Sequence, residues 1–199
     1  MTVWFVPRDA AALSVGADAV AAALEALGEQ VVRTGSRGLL WLEPLVERAD
    51  SRNGTRVGWA NVQASDLSES APADTASNFL GVVEELDYLA CQNRWIYERV
   101  GIIDPVDPDD YLSHGGMAGL QRALELGPAS VIEQVTESGL RGRGGAGFPT
   151  GIKWQTVAEQ TPVPHKGDPV DAARHKYICV NADEGDSGTF AYRMLMEGD

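Results

Sequence analysis

In residues 139–151, six of thirteen positions are glycine, within the run Ser138-Gly139-Leu140-Arg141-Gly142-Arg143-Gly144-Gly145-Ala146-Gly147-Phe148-Pro149-Thr150-Gly151-Ile152-Lys153-Trp154. Glycine at this density exposes backbone N–H groups and lets the chain approach a ligand closely, because no Cβ intervenes. Arg141, Arg143 and Lys153 add positive charge. All three lysines of the chain lie between 153 and 176, so Lys153 is not part of a general lysine-rich surface. The combination suits a phosphate-bearing cofactor. Gly142, Gly144 and Gly147 satisfy G-x-G-x-x-G, but a helical pattern rather than a strand precedes them, so the Rossmann fingerprint does not apply. A Walker A loop is excluded, since no Gly-Lys-Ser/Thr follows. The plainer alternative is a flexible interdomain loop, against which Phe148, Pro149 and Trp154 argue.

A second segment runs Lys176-Tyr177-Ile178-Cys179-Val180-Asn181-Ala182-Asp183-Glu184-Gly185-Asp186-Ser187-Gly188-Thr189-Phe190. Residues 176–180 read as a buried strand that delivers Asn181, Asp183, Glu184 and Asp186 to a turn, where α/β folds place ligand sites. Three carboxylates in four residues repel one another, and binding a hydroxyl-rich chain such as ribityl or ribose would justify that cost. Standing alone, an acidic loop reads first as a solvated turn. Calcium does not fit, because Gly185 and Tyr192 fall where an EF-hand needs acidic ligands. Gly185-Asp186-Ser187-Gly188 has the form of a serine-protease signature, but no fold context or His–Asp pair supports it. His114, His165 and His175 show no ligand spacing and read as solvent or turn residues. Cys179 reads as a small core residue and Cys91 as a helix-face one.

The elements that must carry these segments follow from periodicity and caps. Residues 3–6 read as a strand ended by Pro7, and Asp9 can cap a helix from 10 to about 27 with Gly28 as its stop. Residues 30–34 and 55–62 read as strands, and 38–42 as extended. Residues 63–78, rich in Ala, Ser and Asp, make the best linker, which puts a domain boundary near 78. Beyond it the pattern predicts a helix over 80–100, then a segment Asp104 to Asp110 that forbids a continuous helix and sets a turn and a cap for a short one, then helices over about 117–126 and 128–137. The fold class is α/β.

The 199 residues carry a formal charge of −13, spread evenly between the two halves. No basic face for a phosphate backbone exists, which argues against nucleic acid. Two cysteines 88 residues apart, with no CxxC, cannot supply a four-Cys zinc or iron–sulfur site. No metal ligands are therefore assigned. The longest apolar stretch, 15–27, is short and contains Asp18 and Glu25, so no membrane span is expected. With no positive n-region at the start, a cytoplasmic setting is expected.

On GRGGAGFPTGIKW at 142–154 and NADEGDSGTF at 181–190, the chain resembles the family of flavin- and NAD-binding subunits shared by respiratory complex I (its NADH-binding 51 kDa flavoprotein), NAD-reducing hydrogenases and soluble NAD-dependent formate dehydrogenases. The first half looks most like the beta subunit of the formate dehydrogenases, through VPRDAAALSVGADAV at 6–20, RTGSRGLLWLEPLVE at 33–47 and ERVGIIDPVDPDDYLSHGGMAGLQRAL at 98–124. The resemblance implies a thioredoxin-like domain over 1–78, with its linker from about 63. A helical lead-in and the start of a 51 kDa-type FMN-binding α/β domain would follow over 79–199. Residues 1–90 hold no cysteine for the [2Fe–2S] cluster that related thioredoxin-like domains carry, so a docking role is expected there.

The same resemblance implies the site. Gly142, Arg143, Gly144, Gly145 and Lys153 would hold FMN together with Asn181 and Asp183, and Glu184 would lie beside the flavin. Phe148 and Asp186 would contact NAD. Hydride would pass between nicotinamide and flavin, with no protein general base assigned. A [4Fe–4S] cluster is expected in the part of the family's length that follows these residues, which makes the chain an N-terminal fragment that would be inactive alone. The implied partners are a molybdenum formate dehydrogenase catalytic subunit and a [2Fe–2S] thioredoxin-like gamma subunit. The alternatives are the diaphorase flavoprotein of a hydrogenase, a complex I-like NADH dehydrogenase, or a non-catalytic docking fragment. One departure stands out: where the family has a small residue and then Asp-Arg, Ala191-Tyr192-Arg193 puts Tyr at the Asp position.

Overall fold

The apolar run after Thr2 forms strand β1 (Val3–Pro7), and Asp9 turns the chain out of it into a helix. The Asp9 Oδ1 accepts from the Ala11 and Ala12 N–H groups at 3.0 and 3.2 Å, satisfying donors that a helix start leaves open. The computed structural model describes residues 2–49, 55–160 and 176–199. Instead of the single helix expected to residue 27 there are two, α1 (Ala10–Ser14) and α2 (Ala17–Ala26), because Gly16 between them has φ +102°, outside the helical region. Strand β2 (Gln30–Thr34) then pairs parallel with β1, from Val3 opposite Gln30 to Pro7 opposite Thr34.

Three more strands complete one sheet: β3 (Val46–Ala49), β4 (Arg56–Trp59) and β5 (Phe79–Val82), all antiparallel to their neighbours, in the order β2-β1-β3-β4-β5. β3 and β5 are additions to the strands expected from sequence, and the extended segment expected at 38–42 holds a 3-10 turn, Leu40–Leu42. Trp4 and Trp59 pack across the sheet with ring centroids 5.2 Å apart, and Phe79 continues the stack at 5.1 Å from Trp59. The apolar face of α2, through Val20, Ala21 and Leu24, closes this core. At a few kcal/mol per fully buried large side chain, the aromatic stack is a main source of this domain's stability.

Residues 63–78 are not a linker. Leu67 is buried in the core, Trp59 Nε1 donates to the Ala73 carbonyl at 2.9 Å, and Asn78 Nδ2 donates to the Ala60 carbonyl at 2.8 Å. Small residues here, Ala71 and Ala76, pack against the core rather than span a gap. The chain divides instead into one unit of Met1–Gly115 with Ala182–Asp199 and a second of Gly116–Asn181, so the boundary expected near 78 lies inside the first.

The helix expected over 80–100 forms only as α3 (Asp87–Ala90), since Gly81 at φ +80° lies within β5. The apolar spacing still marks buried positions: Val83 and Leu89 enter a second buried cluster with Leu39 and Leu45. Trp95 and Ile96, which periodicity puts on the same face, are exposed. The short capped helix expected after the 104–110 turn is α4 (Pro108–Ser113), with Asp107 as its cap and Pro108 at its first position, and exposed His114 ends it. In the second unit, α5 (Ala118–Glu137) is two helical stretches joined at Gly127 (φ +76°) before Pro128, matching the two helices expected there. α6 (Thr150–Glu159) belongs to this unit, and α7 (Ala191–Gly198) to the first. Among the described residues no helix is long and apolar enough to cross a membrane.

Candidate functional site

The glycine run links α5 to α6 as a tight hairpin. Arg141 and Pro149 form an antiparallel bridge, the Gly142 N–H donates to the Phe148 carbonyl at 2.9 Å, and the Thr150 N–H donates to the Leu140 carbonyl at 2.9 Å. At the tip, the Gly147 N–H donates to the Gly144 carbonyl at 3.0 Å, with Gly147 at φ +55°. The loop is therefore ordered by its own backbone, which a flexible linker would not be. Arg141 turns back to give its Nη1 to the Gly147 carbonyl at 3.0 Å and so braces the hairpin. Arg143 stays exposed.

Gly144 and Gly145 face open space: a Cβ at either would meet no atom within 4 Å. At Gly142 a Cβ would lie 3.2 Å from Lys153 Nζ. Lys153 thus reaches from the first turns of α6 over the loop, and its Nζ sits 5.8 Å from the Phe148 ring centroid. A helix N-terminus, a lysine and a backbone with room in front of it all favour an anion at one place. These residues fit a phosphate-bearing group such as FMN.

Close helix packing holds this arrangement. A Cβ on Gly151 would fall 2.1 Å from Thr136 Oγ1 and 2.8 Å from Thr136 Cα, so glycine is what lets α6 start against α5. Sequence reasoning missed this contact, although a glycine at the second position of a helix is a visible sign of it. At the other end of α6, Lys176 Nζ donates to the Val157 and Ala158 carbonyls at 2.6 and 3.1 Å, occupying acceptors that the helix end leaves open. Trp154 lines a largely apolar groove of 820 Å³ with Leu124, Ile132, Val157, Tyr177 and Ile178.

Residues 176–180 form no strand, and Ile178 and Cys179 are exposed, which corrects the buried strand and the core Cys179 expected there. Apolar composition makes a segment able to pair, but a strand exists only with a neighbour, and among the described residues no strand pairs with it. Asn181 lies in the second unit, whereas Asp183, Glu184 and Asp186 lie in the first. Glu184 caps a helix. Its carboxylate accepts from the Tyr192 and Arg193 N–H groups at 3.0 and 3.2 Å, at the start of α7. Glu184 therefore supplies the negative charge that an Asp at position 192 would bring to this helix start. Asp186 closes the turn, its carbonyl accepting from Thr189 Oγ1 at 2.8 Å, and Asp183 is exposed. His165 and His175 lie outside the described residues. No group of three or more metal-ligating side chains occurs among the described residues.

Residues 135–199 match the model of the Nuo51 FMN-binding domain of the complex I 51 kDa family. The chain is also similar to the NADP-reducing hydrogenase subunit HndC of Solidesulfovibrio fructosivorans, 48% identical over 108 residues, which is 54% of this chain and 20% of that protein. The F 2 subunit of the NADH-quinone oxidoreductase of Rhizobium meliloti is 49% identical over 90 residues, 45% of this chain and 19% of that one. The F subunit of the corresponding Aquifex aeolicus oxidoreductase is 45% identical over 91 residues, 46% of this chain and 18% of that one. The chain spans about a fifth of the length of these relatives. The stretch that is similar to the complex I 51 kDa FMN-binding domain, residues 135–199, is thus the stretch that contains the anion-favouring glycine hairpin.

Proposed function

We propose that this chain is part of a flavoprotein subunit that moves hydride and electrons between NAD(H) and an iron–sulfur chain, in the service of a molybdenum-containing formate dehydrogenase. The cofactors are FMN and NAD. The observation that carries the reading is the ordered glycine hairpin with open space at Gly144 and Gly145 and the Lys153 ammonium reaching over it. Gly142, Gly144 and Gly145 offer backbone to FMN, and Arg143 and Lys153 offset its phosphate charge. Asn181 and Asp183 bond its hydroxyls, with Glu184 nearby. Phe148, exposed beside the hairpin, packs against the dinucleotide, and Asp186 contacts it. Bound FMN supplies the hydride chemistry, and the protein supplies binding and orientation.

The N-terminal unit is read as a thioredoxin-like docking domain. Supporting this are the parallel β1–helix–β2 unit at one sheet edge and the antiparallel β3–β4 pair beside it. It would seat a [2Fe–2S] thioredoxin-like subunit, and a [4Fe–4S] cluster would belong to the remainder of the family's length. The formate assignment rests on residues 6–20 and 33–47. A second reading, the flavoprotein of a hydrogenase, is favoured by the 108-residue similarity to the hydrogenase subunit.

Purified full-length protein reconstituted with FMN should be yellow and reduce ferricyanide with NADH. A colourless, inactive protein would overturn the flavin reading. In the intact complex, formate-dependent against hydrogen-dependent NAD reduction separates the two partners, and activity with hydrogen alone would replace formate by hydrogenase.

A further inference from the structure

The acidic loop 183–190 runs directly into α7, and both ends of that helix are held by one short stretch of the N-terminal unit. At its start, Tyr97 Oη donates to the Ala191 carbonyl at 3.4 Å, and Glu184 caps the Tyr192 and Arg193 N–H groups. At its far end, Arg99 donates from Nε and Nη2 to both oxygens of Asp199 at 2.5 and 2.8 Å. The guanidinium is pre-oriented over the Tyr111 ring, 5.0 Å from its centroid. Next to it, the Ala10 N–H at the start of α1 donates to Glu197 Oε2 at 2.9 Å.

The backbones also meet. A Cβ on Gly35 would fall 2.5 Å from Gly198 Cα, and a Cβ on Gly198 would fall 2.9 Å from Val100 Cγ1. Such an approach admits one depth and one register, and a two-point ion pair fixes rotation about the helix axis. An eight-residue helix is a rigid rod of about 12 Å, so fixing its end fixes its start.

We propose that Arg99 is a positioning residue for the flavin site: through Asp199 it sets α7, and through the Glu184 cap α7 sets the loop that carries Asp183 and Asp186. The inference rests on the flavin reading of that loop.

The test uses the full-length flavoprotein, with hydrogen exchange and FMN titration on Arg99→Ala, on the near-isosteric Asp199→Asn, and on the swap Arg99→Asp with Asp199→Arg. Both single variants should speed exchange in residues 184–195 and weaken FMN by about tenfold, with exchange in β1–β5 unchanged. The swap should recover most of both. Wild-type exchange and FMN affinity in both single variants would overturn the proposal. So would loss confined to variants whose β1–β5 sheet also opens. A wild-type protein that takes up no FMN would overturn the flavin reading instead, while exchange would still decide the coupling of Arg99 to α7.

Discussion

The Arg37 guanidinium and the Glu47 carboxylate form a two-point pair, Nε to Oε1 and Nη2 to Oε2 at 2.7 Å each, with both side chains only 5% exposed. Glu84 Oε1 lies 3.0 Å from Arg37 Nη2, and Arg56 Nη1 lies 3.5 Å from Glu47 Oε2. Burial alone would pull the Arg37 pKa down, but Glu47 and Glu84 outweigh it and the net shift is upward. At Arg56 burial wins and the shift is downward.

Removing one partner strands the other charge in the interior. Glu47→Ala should therefore cost about 3–5 kcal/mol in urea unfolding. Replacing both partners together, Arg37→Met with Glu47→Leu, should recover much of that loss. A double-mutant cycle with a coupling near zero would show that the pair does not act as a unit.

Glu43 makes stability depend on pH. Burial pushes its carboxyl up to about 7, against the lowering effect of bonds from the Leu45 N–H and Ser36 Oγ, with Asp9 and Glu47 adding to the rise. Between its ordinary value of 4.5 and about 7, the folded state holds a proton that the unfolded state has released. The contribution to stability is thus fully present below 4.5 and is lost as pH climbs through 7. Glu43→Gln should flatten this slope, removing a difference on the order of 2–3 kcal/mol across the window. Parallel stability–pH curves for wild type and variant would contradict the assignment.

What is legible in the sequence, and what is not, follows from range. Asp9, Gly28, Asp107 and Pro108 act on their immediate neighbours, so caps and stops can be read locally. The glycine hairpin is legible because its composition has few other uses. β3 and β5 are not, since Glu47 and Gly81 break the expected patterns and only pairing with β1 and β4 makes those residues strands. Residues 63–78 read as a linker because Ala and Ser carry no periodic signal, although a tryptophan needs the Ala73 carbonyl. Residues 176–180 show the opposite failure, an apolar stretch with no partner strand among the described residues. Within the site, Lys153 and Gly142 are named from sequence and do meet, whereas Arg99 and Asp199 are 100 residues apart and nothing local links them.

Gly151 sets the distance between α5 and α6. Gly151→Ala places a methyl into both the side chain and the Cα of Thr136, so trimming the side chain relieves only part of the clash. The helices must separate, at a cost of about 1–3 kcal/mol. Hydrogen exchange should rise in both helices and in the hairpin between them, and FMN should bind more weakly. Unchanged exchange in residues 130–155 would mean that the pair tolerates the methyl.

Lys153 offers the most direct test of the anion site, because its ammonium reaches over the hairpin beside Gly142 and the Phe148 ring. Lys153→Ala leaves Arg141 bracing the loop through the Gly147 carbonyl, so the hairpin should keep its shape. The loss is one charge-assisted contact, about 1.5–3 kcal/mol, or about ten- to a hundredfold in the FMN Kd of the full-length protein. Lys153→Arg should retain part of the affinity, since charge survives while the compact ammonium becomes a planar fork. Asp183→Ala should also weaken FMN, but with less dependence on salt, because a carboxylate bonding hydroxyls does not draw its strength from the phosphate charge. Unfolding of the N-terminal sheet should be unaffected by any of the three. Flavin fluorescence titrations at low and high ionic strength would decide it, and equal Kd values for wild type and Lys153→Ala at both would remove Lys153 from the site.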